Sequence, residues 1–146
     1  MRTINLFVVL LLSVSCASTT DVTPPSVSDT ANPEQQATNA ATAWLQLLDS
    51  EQYANSWSAA APLFKSAVTA DQWAAAASSA RRPFGKIVSR RVRSAVFTTS
   101  LPGAPTGEYV VITYDSAFEK IATAVETVTP ARDARGHWKV SGYFVK

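Results

Sequence analysis

The chain has 146 residues, enough for one domain, and its 47% apolar, 16% charged composition with net charge +2 is that of a folding globular chain, not a disordered one. A single cysteine excludes an internal disulfide framework and cysteine-cluster metal sites, and a single histidine excludes the multi-histidine sites that hold most catalytic zinc.

Residues 1–16, MRTINLFVVLLLSVSC, carry one positive charge at Arg2, an apolar run over 6–12, and then small residues, which is the layout of a secretory signal. A retained membrane helix needs about 20 predominantly apolar residues. The second half of this stretch is Ser, Thr, Cys and Ala, which favours removal. Two cleavage sites compete. Leu12-Ser13-Val14-Ser15-Cys16 resembles a bacterial lipobox, departing from it at Ser13, and would leave a lipidated Cys16 as the new N-terminus. Ordinary cleavage after Ala17 satisfies the small-x-small rule through Ser15 and Ala17. We favour the lipid anchor, because Cys16 is the only cysteine and ends the apolar run. The expected location is then the periplasm, at the outer membrane, since Ala17 follows the cysteine where enterobacterial inner-membrane lipoproteins carry aspartate. Cleavage at Ala17 would instead give a soluble periplasmic or secreted protein.

Residues 17–33, rich in Ser, Thr and Pro, have too little apolar content to bury and read as a disordered tether. At full extension it would span about 55 Å. The globular domain is expected over 34–146. Asn32-Pro33 with Gln35 forms a helix start, and Ala37, Ala40, Ala41, Trp44, Leu47 and Leu48 continue it as one apolar stripe. Asp49 with Gln52 reads as the cap of a second helix, whose inner side is Tyr53, Trp57, Ala60 and Ala61. Pro62 breaks it, and 63–68 makes one or two further turns. Thr69 with Gln72 caps a third helix, carrying Trp73, Ala76, Ala77 and Ala80, which Pro83 and Gly85 stop.

After Gly85 the period becomes two. A long strand is expected from 87 to 98, with irregular alternation that suggests a bulge near 90–93. The segment 101–107 (LPGAPTG) can only connect, and three more strands follow over 109–118, 123–129 and 137–145, the last two joined by the turn Asp133-Ala134-Arg135-Gly136. Helices first and strands afterwards predict an α+β fold: three N-terminal helices packed on one face of a four-stranded antiparallel meander. This order of elements resembles the nuclear transport factor 2-like and cystatin-like arrangements, and order alone carries no function.

Trp44-Leu45, Asp49, Tyr53, Ser56-Trp57, Phe64, Trp73, the Arg82-Pro83-Phe84-Gly85 corner, Arg90, and the strings LPGAPTGEYVVITY, VETVTP and WKVSGYFVK are similar to the bacterial family named domain of unknown function 4019. The resemblance spans the chain after the tether. It implies a small exported or envelope-associated domain and brings no activity, ligand or catalytic residue.

His137 is the sole imidazole, beside a hairpin turn, and reads as a solvated residue at a strand start. No Gly-x-Ser-x-Gly elbow, phosphate-cradling glycine loop or metal-ligand spacing occurs in the chain. The acids Asp115, Glu119 and Glu126 are candidates for acid and base chemistry. In a cone-shaped fold, Tyr109, Asp115 and Tyr143 would line a small-molecule pocket, as in a binding protein or an enzyme; equally, they are polar residues of an open sheet face. Trp44, Trp57, Trp73 and Trp138 read as filling between helices and sheet more readily than as a ligand platform.

The clearest chemical signal is charge placement. No acidic residue falls between Asp71 and Glu108, while Arg81, Arg82, Lys86, Arg90, Arg91 and Arg93 supply six of the 13 cations. One reading is a patch for an anionic lipid or acidic protein. The other is a set of arginines paired with Glu108, Asp115 or Glu126 across the sheet. Nucleic acid is not an expected partner for an exported domain of small net charge. The leading expectation is a non-catalytic, lipid-anchored binding or scaffolding module without cofactor or metal; the alternative is a pocket protein or enzyme of nuclear transport factor 2-like type.

Overall fold

A computed structural model describes residues 32–146; the signal, Cys16 and the tether up to residue 31 lie outside the described residues. Four helices precede four strands: α1 Pro33–Asp49, α2 Tyr53–Ala59, α3 Pro62–Ala67, α4 Ala70–Arg81, then β1 Ile87–Thr98, β2 Tyr109–Phe118, β3 Ala124–Arg132 and β4 Trp138–Val145. The helix count corrects the expected three. The turns after Pro62 form a helix of their own, because Pro62 sits at its first position, where a missing N–H costs nothing. No helix among the described residues is long and apolar enough to cross a membrane.

Local chemistry accounts for the helix ends. Asn32 Oδ1 accepts the Gln35 N–H at 2.8 Å and Pro33 opens α1. The Gln35 side chain turns to Asn39 and does not reach back to the cap. At α4 the capping box closes in both directions between Thr69 and Gln72. Asp49, expected to cap α2, does not: Gln52 precedes α2 without a side-chain cap bond, and the Asp49 carboxylate turns inward to two arginines. Gly85, with φ +78°, makes the corner from α4 into β1, where an added Cβ would sit 3.1 Å from Glu119 Oε2.

The strands form one antiparallel sheet in the order β1-β2-β3-β4. β1 shifts register twice, between Ile87 and Ser89 and between Val92 and Ser94, so the expected irregularity falls at Arg93. β3 runs three residues past the expected end, through Pro130 to Arg132. A proline survives in this central strand because the register slips between Thr129 and Pro130; the extra residue opposite, Ser141, donates its hydroxyl to Thr129 O at 2.7 Å. β4 opens at Trp138, leaving His137 in the turn. That turn is held by Asp133 Oδ1, which accepts the N–H groups of Arg135 and His137, both at 2.9 Å.

The helices cover one face of the sheet. Ala37, Ala41, Trp44, Leu45 and Leu48 of α1, with Phe64, Trp73 and Ala77, meet Val110, Ile112, Tyr114, Val128, Trp138 and Val140. Small alanines let the helices approach and aromatic rings fill the remainder: Trp44 lies 5.8 Å from Trp73 and 5.7 Å from Tyr143, and Phe64 stacks edge-on to Trp73 at 4.8 Å. Ser56 is the polar centre of this cluster. It is fully buried, its carbonyl accepts Trp44 Nε1 at 2.8 Å, and its hydroxyl accepts Trp73 Nε1 at 2.9 Å. Trp44 and Trp73 are therefore core, as their helical spacing indicates.

Candidate functional site

The run of cations divides between the two faces of the sheet. Arg81 and Arg90 go inward. On α4 the buried positions are Trp73, Ala77 and Arg81, so the last i+4 step of an apolar stripe delivers a guanidinium into the interior. Arg90 pairs with Ser116 of β2 on the helix-covered face. Alternation from Ala124 through Glu126 to Val128 and Pro130 places a carboxylate on the same buried face.

There the groups close a network. Glu126, fully buried, accepts from Arg81 Nη1 (3.2 Å), Arg90 Nη2 (3.1 Å) and Tyr143 Oη (2.7 Å) through Oε1, and from Arg90 Nε and Ser116 Oγ (both 2.6 Å) through Oε2. Asp49, at the end of α1, accepts from Arg81 Nη2 at 2.6 Å and from Arg90 Nη1 and Nη2 at 2.8 and 3.0 Å. Tyr143 Oη in turn accepts from Arg81 Nη1 at 2.8 Å. Two guanidinium cations face two carboxylates, and the lone pairs of Glu126 are engaged by the protein itself. The network ties α1, α4 and all four strands together.

Burial, and after it the Glu126 charge, pushes the Tyr143 phenol well above its ordinary value. Burial also raises Tyr114 and Tyr53. The folded state thus holds these phenolic protons more tightly than the unfolded chain does. Stability is complete below about pH 10 and falls as pH climbs beyond it, because unfolding then releases protons that the folded protein retains. Denaturant titrations at pH 9 and pH 11 should show this loss, and Tyr143→Phe should shrink the difference between the two.

Arg91 and Arg93 go outward. Both bind Asp115 across the β1–β2 pair, Arg91 Nη2 at 3.0 Å and Arg93 Nε at 2.8 Å, with Arg93 Nη2 also on the same carboxylate. Arg93 and then Arg91 hold the Asp115 carboxyl below the usual carboxylate range. These residues border a groove of about 700 Å³ on the uncovered face, lined also by Ala117, Val125 and Lys146. Arg82 and Lys86 are exposed and line a different cleft, of about 340 Å³, between the end of α4 and the start of β1, together with Glu51, Glu119 and Lys120. The six cations accordingly make no single patch. Glu108 pairs with Arg132 and not with the basic run.

The three residues proposed for a pocket are not brought together. Tyr143 is on the inner face in the ionic network, Asp115 is on the outer face, and Tyr109 is buried under the β1–β2 connection with its hydroxyl donating to Pro105 O at 2.8 Å. Trp44 and Trp73 pack against the Tyr143 ring. Of the acids, Glu126 is in the network, and Glu119 Oε2 accepts the Lys86 N–H at 3.1 Å. His137 is exposed, 3.6 Å from Asp133.

A family model described as a protein of unknown function (DUF4019) matches residues 40–143. Searches of curated proteins and of solved structures return no match.

Proposed function

The chain belongs to the DUF4019 family, and from that premise we propose that it is an exported envelope domain, non-catalytic, which binds an anionic partner through the uncovered face of its sheet. In this reading Cys16 is acylated after signal removal and the segment that follows it tethers the domain to the outer membrane. Three acyl chains at roughly 0.8 kcal/mol per buried methylene make such an anchor effectively permanent. We read the element order as the nuclear transport factor 2-like or cystatin-like arrangement with its interior filled.

One observation carries the binding face: the helices cover a single side of the sheet, and on the other side Arg91 and Arg93 share one carboxylate at the rim of a groove. The inner acids and arginines already satisfy one another in the interior, whereas Arg91 and Arg93 stay exposed on the outer face while sharing Asp115. Arg90 belongs to the inner set and is left untouched in any test of the outer one.

The mature chain should be retained on immobilised dextran sulfate in a salt-dependent way, and Arg91→Gln with Arg93→Gln should weaken retention about tenfold. Retention equal to that of the unsubstituted chain removes the outer face as the binding face. Intact mass of the mature protein tests the anchor: an acylated Cys16 at the N-terminus supports it, and a chain beginning at Ser18 overturns it.

A further inference from the structure

Resting on the outer face as the binding face, we propose that its partner is an acidic segment of another polypeptide, seated in the groove at the end of the sheet farthest from the tether. The groove lies where β1 and β3 begin and β2 and β4 end: Ser89, Asp115, Val125 and Lys146 line it. Asn32, from which the chain leaves toward the N-terminus, caps α1 at the other end, where Gln36 accepts Trp138 Nε1 and Trp138 pairs with Arg132. β3, nine residues long, separates the two ends by about 30 Å. The groove and the point where the chain leaves at Asn32 therefore lie at opposite ends of the sheet.

Charge selects the class of partner. Three cations, Arg91, Arg93 and Lys146, line the groove with one carboxylate, Asp115. Arg91 and Arg93 remain 81% and 53% exposed while sharing that carboxylate, so their planar forks retain donors for a second one. Phe144, two residues before Lys146 on β4, is 59% exposed, an aromatic on the edge strand opposite that of the arginines. Arginine with an exposed aromatic is the composition that anchors protein interfaces. The shape agrees: a groove of this size accepts a protruding segment, whereas a bilayer surface offers a plane.

The test uses the mature chain made without acyl groups by Cys16→Ser, a fluorescent decapeptide of glutamate, and vesicles of phosphatidylglycerol in phosphatidylcholine. The decapeptide should bind, and its affinity should fall about tenfold in Arg91→Gln with Arg93→Gln and several-fold in Phe144→Ser. All variants alter exposed side chains, so an unchanged near-ultraviolet dichroism spectrum verifies their fold. No peptide binding, or an affinity that neither variant changes, overturns the proposal. If the vesicles bind in an arginine-dependent way and the peptide does not, the partner is a lipid surface: this inference fails while the outer-face reading stands. If dextran sulfate retention is also independent of Arg91 and Arg93, both fail.

Discussion

Glu126→Ala should destabilise the domain by about 3–5 kcal/mol, the cost of removing one partner from a buried charge pair, and lower the thermal midpoint by roughly 10–20 °C. The buried carboxylate accepts hydrogen bonds from Arg81, Arg90, Tyr143 and Ser116. Without it two cations face Asp49 alone, and the interior carries an uncompensated positive charge. Charge balance, not the count of bonds, sets the size of the effect. Replacing Arg90 and Glu126 together with Met and Leu leaves Arg81 with Asp49, one cation to one anion. This double variant should therefore lose less stability than Glu126→Ala alone, since apolar residues of similar volume can substitute for a buried pair. Thermal melts followed by circular dichroism decide the matter. A double variant no more stable than Glu126→Ala would mean that geometry, and not charge balance, dominates the network.

The same residues mark how far the sequence can be read. Capping chemistry is local, so Asn32 and Thr69 with Gln72 announced α1 and α4. Period-two patterning with turn residues gave the four strands in their order. Asp49 misled for a local reason: an acid followed three residues later by Gln52 looks like a cap, and only the arriving arginines redirect it. Nothing within a few residues of Asp49 announces Arg81, 32 positions away, or Arg90, 41 positions away. A partial signal did exist. Arg81 continues the stripe of Trp73 and Ala77 at four-residue steps, and Glu126 interrupts the buried alternation of Ala124 and Val128. A charged residue in phase with an apolar face must meet an opposite charge inside, and two such residues of opposite sign predict each other. Strict alternation separates Arg90 from Arg91 and Arg93, but which of them faces the helices is set by the bulge at Arg93, which resets the phase of β1.

Trp44→Ala should cost about 3–5 kcal/mol and, unlike an ordinary core truncation, should change a titration. Trp44 is 3% exposed, its Nε1 donates to Ser56 O, and its ring meets Phe64, Trp73 and Tyr143 at 5.7–6.3 Å. Truncation opens a cavity in the aromatic cluster and leaves the buried Ser56 carbonyl without its donor. Trp44→Phe keeps most of the ring volume and should lose only about 1–3 kcal/mol, the penalty of that orphaned carbonyl. Tyr143 joins the cluster to the ionic network: its ring packs on Trp44 and Trp73, and its hydroxyl bridges Arg81 and Glu126. Burial is the largest cause of its raised pKa. Removing Trp44 admits water beside the phenol, so the Tyr143 transition, followed by absorbance at 295 nm, should move down toward the ordinary tyrosine value near 10. Trp44→Phe should leave it close to its original position. If Trp44→Ala preserves both stability and the titration, the rings are not core, and a surface platform for an aromatic or sugar ligand becomes the better account of them.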